Sequence, residues 1–238
     1  MLSPKPWRVE AVIQLVAGAF ACLCLGVVAA GLLQKAGVAG FRTADSFGGV
    51  LVATLSFQGV AWVLILIFLR QHGVCWRDAF GLRNGNLKKS LLLAVGVLAL
   101  ALPVVLGLEH LSMLALSKLG WPPADQRAVE LFVRARSGWQ RAYFALFAVV
   151  LVPVAEEFIF RGALYPFFKQ LGWPRLSLVG VSLLFALIHL SAPAFVPLFV
   201  LALAFTWLYE KTDCLLAPVV AHSLFNLANL VFLFLQSR

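Results

Sequence analysis

The sequence predicts an all-α fold, a bundle of transmembrane helices that crosses a membrane about seven times. Of the 238 residues, 62% are hydrophobic and only 12% are charged, whereas a soluble domain carries about 25% charged residues. The mean hydropathy is +0.96. Several apolar runs reach the roughly 20 residues that a helix needs to cross the hydrocarbon core. We therefore expect an integral, multi-pass membrane protein, and we expect it in a bacterial plasma membrane.

The apolar runs define the predicted spans in chain order. They cover 11–33, 47–69, 90–117, 142–168, 176–191, 193–210 and 214–236. Counts of six or eight stay open, because the fifth and sixth spans are separated only by Ser191-Ala192-Pro193. The first run follows Lys5 and Arg8 and resembles a signal peptide in its flank, but it is too long for an ordinary signal-peptide core. We therefore expect it to remain as a span.

The chain is expected to form one membrane domain over 1–238. Its first part, 1–139, holds the N-terminal spans and an amphipathic segment, 125–136, that we expect to lie in the membrane interface. Its second part, 140–232, holds the ionisable residues that apolar segments rarely contain. We expect this second part to be the catalytic core.

The net charge of +9 does not point to nucleic acid, and no nucleic-acid partner is expected. The 19 Lys and Arg are scattered through the loops between spans, where membrane topology and anionic lipid explain them. The lipid bilayer is therefore the expected partner. The four cysteines show no C-x-x-C pairing, so neither a disulfide nor a cysteine zinc framework is predicted.

The fourth predicted span contains two adjacent glutamates and an arginine, all within one stretch of six residues. Charges at membrane depth are costly, roughly 2.5–3.5 kcal/mol each on insertion scales, so they mark functional sites. On a helix, Glu157 and Arg161 are four residues apart and can pair. Glu156 points about 100° away from Glu157 and has no local cation. We expect Glu157 and Arg161 to be supporting residues and Glu156 to perform acid–base chemistry; an ion pair that only locks helices together is the alternative.

Three more polar residues follow in apolar segments. His189 ends an apolar run, and a histidine there is often satisfied by a backbone carbonyl. His222 and Asn226 are four apart on one helical face, so both can donate hydrogen bonds to one point. Such a pair suits a developing oxyanion, although a hydrogen bond between helices is the simpler alternative.

A metal site is an alternative use of the same residues. Glu156, His189 and His222 could form a zinc site of two histidines and one carboxylate. No H-E-x-x-H motif is present, and no two histidines have local ligand spacing. We expect no cofactor, while zinc at these three residues stays open.

The ordered set Glu156-Glu157-x-x-x-Arg161, Phe185-x-x-x-His189 and His222-x-x-x-Asn226 resembles the CPBP family, over roughly 140–232. That family comprises type II CAAX prenyl endopeptidases and Abi-type or bacteriocin-immunity proteins. The resemblance implies an intramembrane endopeptidase that acts on a peptide or a membrane protein. It implies that Glu156 and His189 activate water and that His222 and Asn226 bind the oxyanion. The family has often been labelled metalloprotease, but the resemblance also implies a glutamate-dependent reaction without a metal, which we favour.

Two other functions remain open at this point. A non-enzymatic membrane protein, such as a partner-binding or bacteriocin-immunity protein, would use the polar cluster to hold its partner. A proton-coupled transporter would use the Glu and His side chains as a relay. The lack of repeat symmetry between the two halves of the sequence disfavours the transporter.

Overall fold

The computed structural model describes residues 2–38, 52, 55–83, 86–121 and 137–236, and all of their regular secondary structure is helical. The α-helices are α1 Val9–Lys35, α2 Val60–Gln71, α3 Trp76–Ala79, α4 Leu87–Lys118, α5 Gly138–Leu146, α6 Val152–Glu157, α7 Tyr165–Gln170, α8 Pro174–Ile188, α9 Ala192–Thr212 and α10 Leu216–Gln236. Wider π turns occupy Leu55–Gly59, Phe147–Leu151 and Phe158–Leu164. The predicted all-α fold is confirmed.

Five of the described helical stretches are long and apolar enough to cross a membrane. They are Val9–Lys35, Leu87–Lys118, Gly138–Gln170, Ala192–Thr212 and Leu216–Leu235. Two shorter apolar helices, Val60–Gln71 and Pro174–Ile188, occupy the second and fifth predicted positions. Part of the second predicted span, and the amphipathic segment 125–136, lie outside the described residues. The predicted count of about seven therefore agrees with these helices.

The outward faces of these helices are apolar, as expected of a protein in lipid. Phe20, Leu25 and Leu100 are each about two-thirds or more exposed. In water such side chains would favour aggregation, whereas acyl chains solvate them as well as a protein core does. The chain is an integral, multi-pass membrane protein.

The described residues group into two compact units. One unit, Pro6–Cys75, contains α1 and α2, which pack against each other. The other unit, Met1–Lys5 with Trp76–Arg238, contains all the later helices. Its apolar core is formed by α4, α8, α9 and α10, with buried residues such as Leu98, Ala186, Phe205 and Ala221.

Two local signals mark where the helical segments that lead to the ionisable residues begin. Ser137 caps α5: its side chain accepts a hydrogen bond from the Gln140 backbone, and the Gln140 side chain accepts one from the Ser137 backbone. Pro174 begins α8, where its fixed φ suits a first helical turn. The helix ends just before His189, and Leu190 follows with a positive φ of 50°.

Residues 2–5 bind along the ends of α7 and α9. Lys5 Nζ lies 2.7 Å from Asp213 Oδ1. The Lys5 backbone donates a hydrogen bond to the Gln170 side chain and accepts one from it, at 2.7 and 3.0 Å. The N-terminal segment of this unit is therefore held to the helix ends at more than one point.

Candidate active site

Glu156 and Glu157 are the last two residues of α6, a short α-helical stretch with a π turn before it and another after it. We expected a regular α-helix here, and this detail was wrong. Each π turn widens the backbone spiral, and such turns are frequent at functional sites. Both glutamates are buried, and so is every residue of the second π turn, Phe158–Leu164.

Glu157 and Arg161 form the predicted pair. Arg161 Nη1 donates to Glu157 Oε1 at 3.0 Å, and neither side chain has any exposed surface. The other two nitrogens of the guanidinium donate to residues of α9: Nη2 to the Ala202 carbonyl at 3.1 Å and Nε to Thr206 Oγ1 at 3.3 Å. A buried charge needs both an opposite charge and hydrogen-bond partners, and Arg161 has Glu157 as its counter-charge and one acceptor for each of its three nitrogens.

His222, on α10, approaches both glutamates. Its Nδ1 lies 2.9 Å from Glu157 Oε1, and its Nε2 lies 3.9 Å from Glu156 Oε2. A carboxylate can only accept a hydrogen bond, so Nδ1 must carry the hydrogen. In the neutral imidazole, Nε2 then has a free lone pair that faces Glu156; in the protonated ring it faces Glu156 with an N–H group.

Glu156 is bonded differently from its neighbour. It is only 8% exposed, and its buried Oε2 has no hydrogen-bond partner among the described residues. The same holds for Glu157 Oε2, so the difference between the two side chains is that Glu157 Oε1 accepts two hydrogen bonds. The 3.9 Å to His222 is too long for a direct hydrogen bond, but it is a separation that one water molecule can bridge. The predicted pairing of Glu157 with Arg161 is therefore present, and the acid–base role of Glu156 stays a prediction.

His189 is half-buried at the end of α8. Its Nδ1 lies 2.7 Å from the Phe185 carbonyl oxygen, which is the backbone-satisfied state that the sequence left as an alternative. A carbonyl only accepts, so Nδ1 carries the hydrogen and the lone pair of a neutral ring is at Nε2. One nitrogen of His189 is thus used structurally, and the other keeps acid–base capacity.

The Phe185 side chain joins His189 to the cluster. Its ring centroid lies 4.7 Å from that of His189 and 5.9 Å from that of His222. The Arg161 guanidinium lies over the same ring at 4.4 Å. The three helical segments that carry Arg161, His189 and His222 therefore meet at one aromatic side chain.

Asn226 does not share a hydrogen-bond partner with His222 in the described structure. Its Nδ2 donates to the Ala148 carbonyl at 2.7 Å, in the π turn Phe147–Leu151, whereas His222 faces the two glutamates. We expected the two side chains to donate to one point, and their observed partners are separate. The amide of Asn226 has a second hydrogen, so its oxyanion role stays a prediction.

Sequence reasoning missed the contribution of α9. Thr206 accepts from Arg161, and the Phe205 ring lies 5.5 Å from His222. A buried hydroxyl in an apolar helix was the available signal, but a lone Thr in a membrane helix usually bonds to its own backbone. Thr206 does this too, donating to the Ala202 carbonyl at 2.8 Å.

A metal ion needs several ligands close together. Among the described residues, no three His, Cys, Asp or Glu side chains are grouped in a way that could hold an ion. His222 Nδ1 is already bonded to Glu157. Zinc at Glu156, His189 and His222 stays an untested alternative.

Residues 138–228 match the family model described as type II CAAX prenyl endopeptidase Rce1-like. This segment includes all six residues singled out from the sequence, and the match is consistent with the CPBP resemblance, which is confirmed over this part of the chain. No curated protein and no solved structure matches the chain. The segment that carries the buried cluster is therefore similar to a family of CAAX-type intramembrane proteases.

Proposed function

We propose that the protein is an intramembrane endopeptidase in which Glu156 activates water. The observation that carries the proposal is the unequal bonding of two adjacent buried carboxylates. Glu157 Oε1 accepts from both Arg161 and His222, although Glu157 Oε2 has no partner among the described residues. Glu156 Oε2 has none either, and it lies 3.9 Å from His222 Nε2. A carboxylate held in this way can bind and deprotonate a water molecule.

The charges of the cluster support this assignment. Ionised Glu156 and Glu157 carry two negative charges, and Arg161 supplies one positive charge. One additional proton in the cluster balances these charges, and unbalanced charge is costly in a low dielectric. A catalytic acid–base pair requires such a mobile proton.

The proposed reaction has two steps. In the first, an O–H bond of water breaks, its proton moves to Glu156, and the oxygen bonds to the carbonyl carbon of the scissile peptide. His189, through Nε2, orients the water, while the oxyanion accepts hydrogen bonds from Asn226 and from Nε2–H of the protonated His222 ring. In the second, the C–N bond breaks and Glu156 returns the proton to the leaving nitrogen, giving a carboxylic acid and an amine.

The substrate class is a peptide or membrane protein that reaches the buried cluster from the bilayer. The family match supports a CAAX-type intramembrane protease, and the presence of a prenyl group on the substrate is a separate question. A prenylated peptide and the same peptide without its lipid, each presented in vesicles, address it directly. Faster cleavage of the prenylated form would assign lipid recognition to this protein.

The decisive experiment compares wild type with Glu156→Gln in the native host by substrate-trapping proteomics. Gln keeps the shape of the side chain and cannot accept the proton. We expect intact substrates to accumulate on the variant, and purified Glu156→Gln and His189→Ala to insert and fold without cleaving them. Turnover by purified Glu156→Gln would end this mechanism, and a phenotype that survives in the variant would favour the partner-binding or immunity function.

A further inference from the structure

Thr206 is a fully buried polar residue near the middle of the apolar helix α9. Its hydroxyl donates to the Ala202 carbonyl at 2.8 Å and accepts from Arg161 Nε at 3.3 Å. A threonine that only satisfied its own hydroxyl would need the first bond alone. The second bond connects α9 to the charged cluster.

The hydrogen bonds of Arg161 hold its guanidinium in a single orientation. Nε, Nη1 and Nη2 donate to three different acceptors: Thr206, Glu157 and the Ala202 carbonyl. The ring of Phe185 lies against the guanidinium at 4.4 Å, and that of Phe205 lies at 5.8 Å. Because the guanidinium is planar and rigid, fixing Nε at Thr206 also fixes the direction of Nη1 toward Glu157.

Glu157 links the orientation of Arg161 to that of His222. One oxygen, Oε1, accepts both from Arg161 at 3.0 Å and from His222 Nδ1 at 2.9 Å. The bond at Nδ1 sets which ring nitrogen carries the hydrogen, and thereby what Nε2 presents to Glu156. An outer hydrogen-bond partner that sets the tautomer of a functional histidine has a measurable effect on its chemistry.

We propose that Thr206 is a positioning residue for the peptidase reaction, acting through Arg161 and Glu157 to keep the hydrogen of His222 on Nδ1 and its Nε2 toward Glu156. The proposal rests on the proposed function. Thr206 does not touch Glu156 or His222 through any described hydrogen bond, so its effect is indirect.

The kinetic test uses matched threonine variants on one helix. Thr206→Val keeps the shape and removes the hydroxyl, Thr206→Ser restores it, and Thr206→Ala removes it without added bulk. Thr212→Val is the control, because Thr212 makes the same 2.8 Å bond to the carbonyl four residues earlier and has no described bond to Arg161. Its other hydrogen bonds are to the backbone of Cys214. We expect Thr206→Val and Thr206→Ala to lower kcat about tenfold or more, with KM within about twofold, and Thr206→Ser and Thr212→Val to resemble wild type.

A second measurement reports on His222 without using catalysis. The chain has four histidines, so ¹⁵N-histidine labelling gives few side-chain signals, and a His222→Gln sample identifies the relevant pair. In wild type we expect the Nδ1 signal of His222 to be that of a protonated nitrogen. In Thr206→Val we expect this signal to shift toward that of an unprotonated nitrogen, and in Thr212→Val we expect no change.

The outcomes separate the two proposals. Folded Thr206→Val and Thr206→Ala samples with wild-type kcat and unchanged His222 signals would overturn the positioning role. Loss of folding in both variants would assign Thr206 to stability alone and would overturn it as well. If Glu156→Gln still cleaves substrate, the proposed function fails instead, while the His222 signals continue to test the link from Thr206.

Discussion

Arg161 and Glu157 form a 3.0 Å ion pair in which neither side chain is exposed. The pair also joins three helical segments, because Arg161 bonds to α9 and Glu157 bonds to His222 on α10. Removing one partner of such a pair leaves an uncompensated buried charge, which is more damaging than losing the pair as a whole.

Glu157→Gln should destabilise the protein by roughly 3–5 kcal/mol, because it breaks the buried 3.0 Å ion pair with Arg161 and removes the charged acceptor of His222. The measurement is thermal or denaturant unfolding in detergent micelles. Asp78→Asn is the control, since Asp78 and Arg83 also pair at 3.0 Å but with 44% and 66% of their side-chain surface exposed. That change should cost no more than about 1 kcal/mol, and equal losses in the two variants would contradict the argument.

Asn226→Ala should lower kcat by about 10²–10³, the effect of losing one oxyanion donor. Asn229→Ala, on the same helix α10, is the matched control and should keep activity. Steady-state cleavage of a trapped substrate by both variants gives the comparison. If Asn226 serves only to bond the Ala148 carbonyl, its loss will lower stability and leave kcat intact in the folded fraction.

Cleavage should survive removal of divalent metal. The family resemblance implies a glutamate-dependent reaction without an ion, and among the described residues no three potential ligands are grouped. Dialysis against a strong chelator, followed by elemental analysis and assay, tests this expectation. Loss of cleavage that returns with zinc would instead assign Glu156, His189 and His222 to a metal site.

Gly81→Ala should destabilise the protein by at least about 1–2 kcal/mol. Gly81 has a φ of +70°, and an added Cβ would lie 2.8 Å from Cys214 Cα and 2.9 Å from the Asp213 carbonyl oxygen, which are backbone atoms that cannot easily move. Gly120 has a similar φ of +71° and open space around it. Gly120→Ala therefore measures the cost of φ alone, and unfolding experiments should show a larger loss for Gly81→Ala.

Acid should weaken the attachment of residues 2–5. Burial alone would raise the pKa of Asp213, but hydrogen bonds from Lys5 and Ser3 and the charge of Lys5 outweigh it and hold that pKa below its ordinary value. An unfolded Asp has a pKa of roughly 3.9. The stabilisation is therefore complete at pH values well above this and is lost as the pH falls through the lower folded pKa.

The pH dependence is checked by the stability of wild type and Asp213→Asn from neutral pH down to about pH 3, a range set by the carboxyl pKa values. The difference between them should be constant near neutrality and should shrink in acid. Because Lys5 and Asp213 are partly exposed, the difference itself should be modest, about 1 kcal/mol or less. A difference that grows as the pH falls would reverse the assigned sign.

Local patterns in the sequence predicted the helices and one contact of the site. Runs such as 90–117 could be read as spans because membrane helices are apolar over a known length, and the structure has α4 at Leu87–Lys118. The pairing of Glu157 with Arg161 was also accessible, since four-residue spacing survives the change from an α-helix to a π turn here.

Contacts between distant segments were not predictable in the same way. His222 and Glu157 are 65 positions apart, and no periodicity states which of two neighbouring carboxylates a histidine will bond. The π turns were missed because no residue type marks them. Thr206 was missed because its bond to its own helix hides the second bond to Arg161. The carbonyl of Ala148, which Asn226 uses, is invisible to any analysis of side-chain types.

The ring of Phe185 has a consequence for anyone who wishes to redesign this protein. It contacts Arg161, His189 and His222 at once, so a substitution there would disturb three ionisable groups together and its effects could not be apportioned among them. Selective changes to acid–base behaviour must begin at positions that contact only one of these groups. Directed evolution of the protein should consequently leave position 185 aromatic while its neighbours diversify.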